Sequence, residues 1–250
     1  MSDSLPPRKR AQAISKAGPE AARIAFPHAF EAAAEVSARP LAAFLEDPTQ
    51  LANGLAELAR AIGSDGIVCL DGLGLDRVDA AAAASAPSRL ASRRVAASLE
   101  ATRRLRATFA DGAALVVVVD GPAALAAAAA AGGEIDAGAI EDAGAVLSAV
   151  VRAFAEAGAD LFLVDDPAEV SERDAWSDAL TTASRVAKFH RGAAYVRAAG
   201  AASPLPSPAA IPLDAPAPAP RGVVTTSARV ARLDLPAMTE WMRAVRLETA

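Results

Sequence analysis

The chain is poor in the residue types that build disulfide frameworks, thiolate metal sites and aromatic binding surfaces. Of its 250 residues only Cys69 is a cysteine, only three are lysine, and aromatic residues make up 4%. A single cysteine excludes an internal disulfide and any metal site built on several thiolates. Hydrophobic residues, mostly alanine, make up 53%. That fraction is enough for a core, and it excludes a chain that is disordered throughout.

Charge and hydropathy argue against nucleic acids and membranes as partners. The formal net charge is −5, so no general attraction to a polyanion is expected. The longest apolar stretch, residues 113–131, is interrupted by Asp120 and by the Gly121-Pro122 pair. A membrane-spanning helix needs about 20 mostly apolar residues. No segment has the pattern of a signal peptide, which predicts a cytoplasmic protein.

Continuous apolar runs alternate with helical segments along most of the chain. The runs that predict strands are residues 22–27, 66–71, 115–119, 161–164, 193–196 and 222–226. Between the first two, Asp47 and Pro48 are placed to cap and begin a helix that continues through residues 50–62. Strands that are apolar throughout and alternate with helices are typical of a parallel sheet covered on both faces. The sequence therefore predicts an α/β fold, (β/α)8 TIM-barrel-like, with missing or shortened C-terminal βα units.

The ends of the chain differ in composition from its middle. Residues 1–20 are expected to be a flexible N-terminal arm, because termini are commonly mobile. Residues 21–250 then form a single barrel-like domain. Within that domain, proline density predicts a Pro/Ala-rich loop at 201–221, because proline-dense segments cannot form helix.

Polar residues close several of the predicted strands. His28, Asp71, Asp120, the Asp165-Asp166 pair and Arg197 all lie at or just after a strand's carboxyl end. In βα proteins ligands bind at that edge. A carboxylate in an apolar mouth can act as a general acid or hold a cationic intermediate.

A structural alternative stays open for each aspartate, which can instead cap the following turn or helix. For Asp120, which precedes Gly-Pro, capping is the favoured interpretation. His28 has a similar alternative as a buried structural histidine, whereas His190 is expected to be solvated. Asp65 and Asp160 precede strands and are expected to be turn residues at the opposite edge. No nucleotide-binding, zinc-protease or nucleophile-elbow motif is present.

Several of these segments together resemble the uroporphyrinogen decarboxylase superfamily. They are Ile24-Ala25-Phe26-Pro27, the Asp47-Pro48 helix start, Ser64-Asp65-Gly66-Ile67-Val68 with Asp71 at the strand end, Gly121-Pro122 after a β-branched strand, and Ala157-Gly158-Ala159-Asp160 leading to Asp166-Pro167. The resemblance spans roughly residues 8–200 and implies a (β/α)8 barrel with its site at the C-terminal mouth. In the decarboxylase branch it implies loss of carboxylates from the acetate groups of uroporphyrinogen without a cofactor, with Asp71 as the central acid/base. The residues expected to bind a tetrapyrrole or small carboxylate are His28, Gly72, Asp166 and Arg197.

The sequence departs from both branches of that superfamily. Decarboxylases hold their substrate with an arginine-rich segment after the first strand, but here no arginine occurs between His28 and Arg39. The other branch transfers methyl groups between corrinoid proteins and thiols, with zinc bound by a His-x-Cys pair and a later cysteine. Here Arg197-Ala198-Ala199-Gly200 stands in that place and no cysteine follows Cys69. No metal site is therefore expected. The shortened C-terminal part suggests pairing with a second copy of the chain, a homodimer.

Three functions stay open at this point. The first is a decarboxylase-like enzyme, a carboxy-lyase that acts through Asp71. The second is a metal-free corrinoid or thiol methyltransferase-like protein, and the third is a non-catalytic barrel used for binding or subunit interaction. Superfamily resemblance alone does not choose between them, because one fold hosts many functions.

Overall fold

A computed structural model describes residues 5–71, 85–167, 170–197, 209–211, 222–226 and 230–247. Within these ranges the helices are α1 (Pro7–Ala17), α2 (Phe30–Val36), α3 (Leu41–Glu46), α4 (Pro48–Ile62), α5 (Ala86–Ala91), α6 (Arg93–Phe109), α7 (Pro122–Ala130), α8 (Ala137–Glu156), α9 (Arg173–Phe189) and α10 (Leu235–Leu247). The strands are β1 (Arg23–Phe26), β2 (Gly66–Asp71), β3 (Ala114–Asp120), β4 (Leu161–Asp165), β5 (Ala193–Val196), β6 (Ala209–Ile211) and β7 (Gly222–Thr226). None of the described helices is long and apolar enough to cross a bilayer.

The strands form two parallel sheets that meet side by side. One sheet has the order β1-β7-β6 and the other the order β2-β3-β4-β5. They meet between β1 and β2, where the Asp65 N–H donates to the Ala25 carbonyl at 3.1 Å. The first strand thus has the last strand on one side and the second on the other, which is the neighbourhood that a β/α barrel requires. The predicted parallel α/β architecture is confirmed, but the described strands do not form a closed barrel.

Local sequence explains where the central elements begin and end. The Asp47 carboxylate accepts hydrogen bonds from the N–H groups of Thr49 and Gln50, with Pro48 at the first helical position of α4. Gly63 ends that helix at φ 66°, a left-handed conformation that favours glycine. Strand β3 is buried along its whole length, as its run of valines predicts. The amphipathic pattern of residues 90–109 predicts one helix before β3, but the structure ends α5 at Ala91 and begins α6 at Arg93.

The described part of the first twenty residues, 5–20, differs from the flexible arm that we expected. Residues 7–17 form α1, which begins at Pro7 and buries Ala11 and Ile14. Arg10 is buried with them and donates to Asp65 at 2.8 Å. Apolar contacts and one buried ion pair therefore hold this segment against the strands, a role that its basic composition did not predict.

A strand also lies within the stretch for which a loop was expected. Strand β6 occupies the three residues between Pro208 and Pro212. None of the three is proline, so each has a backbone N–H. It pairs in parallel with β7, with Ala209 opposite Val224. Proline density excluded a helix here, but it did not exclude a short edge strand.

Two aspartates hold the amino ends of the strands, and both lie at the edge predicted for them from the sequence. The Asp65 carboxylate accepts from the Ala25 N–H of β1, and the Asp160 carboxylate accepts from the Leu115 N–H of β3. Each is also paired with arginine, Asp65 with Arg10 and Asp160 with Arg8 and Arg106. These ion pairs fix the strand positions at the amino edge of the sheets.

Candidate binding site at the carboxyl ends of the strands

The carboxyl ends of the strands bring together most of the residues that the sequence singled out. His28 follows β1, Asp71 ends β2, Asp165 ends β4, and Arg197 comes directly after β5. The side chains of His28 and Asp71 are each 1% exposed, that of Asp165 is 2% exposed and that of Arg197 is 23% exposed, so the cluster is buried except at its arginine. The parallel register places these strand ends at one edge.

Arg197 contacts both Asp165, which ends β4, and His28, which lies two residues after β1. Its Nε donates to Asp165 Oδ1 at 2.6 Å, and its Nη2 donates to Asp165 Oδ2. Its Nη1 lies 3.1 Å from Nε2 of His28. Nδ1 of His28 is 3.8 Å from Oδ2 of Asp71, which is too long for a hydrogen bond. The order of contacts is thus Asp165, Arg197, His28, Asp71.

The backbone of His28 is fixed independently of its ring. The His28 N–H donates to Thr226 Oγ1 at 3.1 Å, which joins the end of β1 to the end of β7. The His28 carbonyl accepts from the Val230 N–H at 2.7 Å. Both bonds fix the backbone of the histidine to the end of β7 and to the segment that follows it.

Electrostatics keep Arg197 charged despite its burial. Burial lowers the pKa of its guanidinium, but the hydrogen bonds and charge of Asp165, with the charge of Asp71, more than offset this and raise the pKa overall. A paired, two-armed contact of this kind is strong because both partners are ionised. Arg197 is therefore a fixed cation whose charge is already matched by Asp165.

A second buried ion pair lies at the end of β3. Nη2 of Arg89, on α5, donates to Asp120 Oδ2 at 2.9 Å, and both side chains are 5% exposed. Sequence reasoning assigned Asp120 to capping and did not identify Arg89 at all. Arg89 precedes β3 by a whole helix, and no local pattern relates it to that strand's end.

Asp166 points away from this cluster. Its Oδ2 accepts from Trp176 Nε1 at 2.6 Å and its Oδ1 from the Ala124 N–H at 2.9 Å, so it ties α9 to the first turn of α7. Burial raises its pKa to about 6, against the lowering effect of these hydrogen bonds. A Cβ at Gly121 would lie 2.1 Å from Oδ2 of Asp166, so only glycine fits there. The proposed part of Asp166 in substrate binding stays a prediction.

The remaining sequence candidates lie elsewhere. Gly72 lies outside the described residues. His190 follows α9 and is partly exposed, with its ring edge-on to Phe189.

The donor set of the described residues does not fit the zinc site of the methyltransferase branch. Cys69 is fully buried, and burial raises the pKa of its thiol to about 12, with a weaker opposing hydrogen bond to Thr102. Zinc binds the thiolate, which this environment disfavours. No group of three or more histidine, cysteine, aspartate or glutamate side chains positioned for a metal occurs among the described residues. We therefore derive no chemical step through zinc.

Two kinds of comparison find no counterpart for this chain. No family model matches its sequence. No curated protein matches it either.

The fold, by contrast, has a counterpart among solved structures. A methyltransferase from Methanosarcina mazei superposes on the chain with a TM-score of 0.69 and 14% sequence identity. The match covers 96% of this chain and 98% of that protein. The chain is thus an α/β protein of parallel strands and helices with a fold similar to that methyltransferase's.

Proposed function

We propose that the chain is a methyltransferase-like protein whose substrate binds at the carboxyl ends of its strands. The likeness to a methyltransferase over 96% of the chain supports this class above a decarboxylase. The observation that carries the choice at the site is the pairing of Arg197 with Asp165. A polycarboxylate such as uroporphyrinogen needs several unpaired cations, and this arginine is already matched.

The charge of the site indicates the substrate class. Among the described residues at the strand ends, the three carboxylates of Asp71, Asp120 and Asp165 are accompanied by two guanidinium groups, those of Arg89 and Arg197. Such a site repels a further anion and attracts a cation. We propose a small molecule with a positively charged methyl-bearing centre, a quaternary ammonium or sulfonium, with the Asp71 carboxylate facing that centre.

The chemical step would be a displacement at the methyl carbon. The bond from the methyl carbon to nitrogen or sulfur breaks, its electron pair stays on the leaving atom, and a neutral amine or thioether departs. The methyl carbon bonds to an electron pair of the acceptor, a corrinoid cobalt(I) or a thiolate. The buried side chains of His28 and Asp71 limit the access of water, and Asp71 holds the cationic donor in place. No proton needs to be transferred.

The test measures methyl transfer under anaerobic conditions. The protein is mixed with cob(I)alamin and either tetramethylammonium or trimethylsulfonium, and methylcobalamin formation is followed by absorbance. We expect formation above the protein-free background and a loss of about a hundredfold in Asp71→Asn, a size typical of removing one electrostatic group. Asp142→Asn, an exposed change on α8, is the matched control.

Two other results would overturn the proposal. Loss of carboxylate from uroporphyrinogen, followed by chromatography and abolished in Asp71→Asn, would establish the decarboxylase function instead. Absence of methyl transfer together with no thermal stabilisation by either cation would remove the cationic substrate class and leave the non-catalytic barrel as the function.

A further inference from the structure

The histidine at the centre of the cluster has one ring nitrogen contacted and one without a hydrogen-bond partner in the described part of the chain. Nε2 of His28 is 3.1 Å from Nη1 of Arg197. Nδ1 has no hydrogen-bond partner among the described residues, and the side chain is 1% exposed. A buried polar group of this kind is costly unless something satisfies it.

The contact with Arg197 determines which nitrogen carries the proton. A guanidinium group can only donate hydrogen bonds, so Nε2 must accept and therefore has no proton. A neutral imidazole carries its proton on the other nitrogen, which places an N–H at Nδ1. That N–H is on the side of the ring facing Asp71, whose Oδ2 is 3.8 Å away.

Asp165 makes this arrangement rigid. It binds Arg197 through both of its carboxylate oxygens, so the guanidinium plane cannot rotate and Nη1 stays directed at His28. Asp165 is 1% exposed, which removes competition from water. Asp165 does not itself contact the histidine ring; it acts through the guanidinium.

A second buried polar group, also without a hydrogen-bond partner among the described residues, lies near the end of β7. Oγ1 of Thr225 is buried and has no hydrogen-bond partner among the described residues. Thr225 is the register partner of Phe26 in the parallel β1–β7 pair, so the two side chains share a face of the sheet. The ring of Phe26 lies 6.2 Å from that of His28, centroid to centroid. The Thr225 hydroxyl is thus on the face of the sheet that carries the Phe26 ring, which is close to the His28 ring.

We infer that Asp165 and Arg197 are positioning residues that hold His28 as the Nδ1–H tautomer, so that this N–H donates to a hydrogen-bond acceptor of the substrate beside Asp71. The inference rests on the proposed location of the site, but not on methyl transfer. It adds a preference within the substrate class: a substrate that carries an acceptor oxygen or nitrogen near its cationic methyl-bearing centre should bind more tightly than tetramethylammonium or trimethylsulfonium, which lack one.

The test reads the tautomer directly in the ligand-free protein. The full chain is labelled with 15N-histidine, and long-range 1H–15N correlation spectra are recorded at neutral pH. Since the chain has two histidines, His190 provides an internal reference, and His28→Gln assigns the signals. We expect a protonated Nδ1 and an unprotonated Nε2 for His28, and the average of both tautomers in Asp165→Asn.

Asp120→Asn is the matched control, because it removes a buried aspartate–arginine pair at the neighbouring strand end. The His28 signals should not change in that variant. If Asp165→Asn does not fold, Arg197→Lys replaces it, since lysine keeps the charge opposite Asp165 but not the fork that also reaches His28.

Three results would overturn the inference: a proton on Nε2 in the wild type, protons on both nitrogens, or equal signal changes in Asp165→Asn and Asp120→Asn. The spectra need no substrate or acceptor, so a failed tautomer prediction is distinct from a failure of methyl transfer.

Discussion

Asp165 and Asp166 are chemically identical neighbours with different environments. Asp165 is held against Arg197 at the candidate site, whereas Asp166 binds Trp176 and the first turn of α7. Successive side chains of an extended segment point to opposite sides, so the two aspartates had to face opposite sides of the strand. The sequence identified the pair but selected Asp166. Which of two adjacent aspartates faces inward depends on strand register, which composition does not reveal.

The raised pKa of Asp166 predicts a pH-dependent contribution to stability. Because its pKa is about 6 in the folded protein, above the value of an ordinary carboxyl group, the folded chain retains a proton that the unfolded chain releases. The free energy of unfolding should therefore fall as pH rises from about 4 to about 6 and then level off. Asp166→Asn, which has no proton to release, should lack this fall.

Urea denaturation of both proteins between pH 4 and 7 measures the effect. We expect the wild type to lose roughly 2–3 kcal/mol relative to Asp166→Asn over that interval, from a pKa raised by about two units. Asp142→Asn on the exposed side of α8 should keep the wild-type profile. Parallel profiles for wild type and Asp166→Asn would contradict the assignment.

At the scale of elements, local sequence predicted more than it did at the site. The cap Asp47, the first helical residue Pro48 and the terminal glycine Gly63 of α4 are each recognisable in the local sequence. The structure places each of them where it was expected. The division between α5 and α6 was missed because Ser92 carries no obvious stop signal. Strand β6 was missed because three residues between prolines are too few to show a period.

Helices α8 and α9 approach each other closely at one glycine. A Cβ at Gly144 would lie 2.6 Å from the Cβ of Ala179, so Gly144→Ala should force the helices apart. We expect destabilisation of about 1–3 kcal/mol, the usual cost of overpacking. Alanine favours helix over glycine, so propensity alone predicts the opposite sign.

Gly138→Ala provides the comparison within the same helix. Its Cβ would lie 3.5 Å from the nearest neighbour, an ordinary contact, so this change should stabilise the protein by up to about 1 kcal/mol. Thermal unfolding of the two variants should therefore shift in opposite directions. A shift of the same sign in both would show that helix packing at Gly144 has been misjudged.

The whole molecule depends on contacts between distant segments that sequence patterns do not show. Apolar runs predicted the strands and their parallel arrangement, and their polar ends predicted where His28, Asp71 and Arg197 would meet. The pairings themselves, Arg10 with Asp65 and Arg89 with Asp120, join residues 55 and 31 positions apart. Charge complementarity is not periodic, so the partners could be recognised only in three dimensions.

Asp65 is the clearest test of such a long-range contact. It is 2% exposed, and its carboxylate holds Arg10 of α1 as well as the Ala25 N–H of β1. Asp65→Ala leaves a buried arginine without its carboxylate, for which about 3–5 kcal/mol of destabilisation is expected. Chemical denaturation measures it.

Asp111→Ala removes a carboxylate that pairs with Arg8 and Lys9 and is 40% exposed. Exposed pairs contribute about 0–1 kcal/mol, so this variant should unfold almost as the wild type does. If Asp65→Ala is equally mild, α1 does not depend on Arg10 for its attachment.

The junction of the two sheets runs through the candidate site. Strands β2 and β3 are paired over five residues, whereas the described bonds between β1 and β2 come from Asp65 alone. His28 belongs to one side of that junction and Asp71 to the other, with 3.8 Å between their facing atoms. A molecule that bridges these two side chains would act as a clasp, joining the two sheets where the described strands share only the bonds of Asp65. Ligand binding and the stability of the junction would then be thermodynamically linked. A change that weakens the contact between β1 and β2 would weaken ligand binding, and a bound ligand would stabilise that contact.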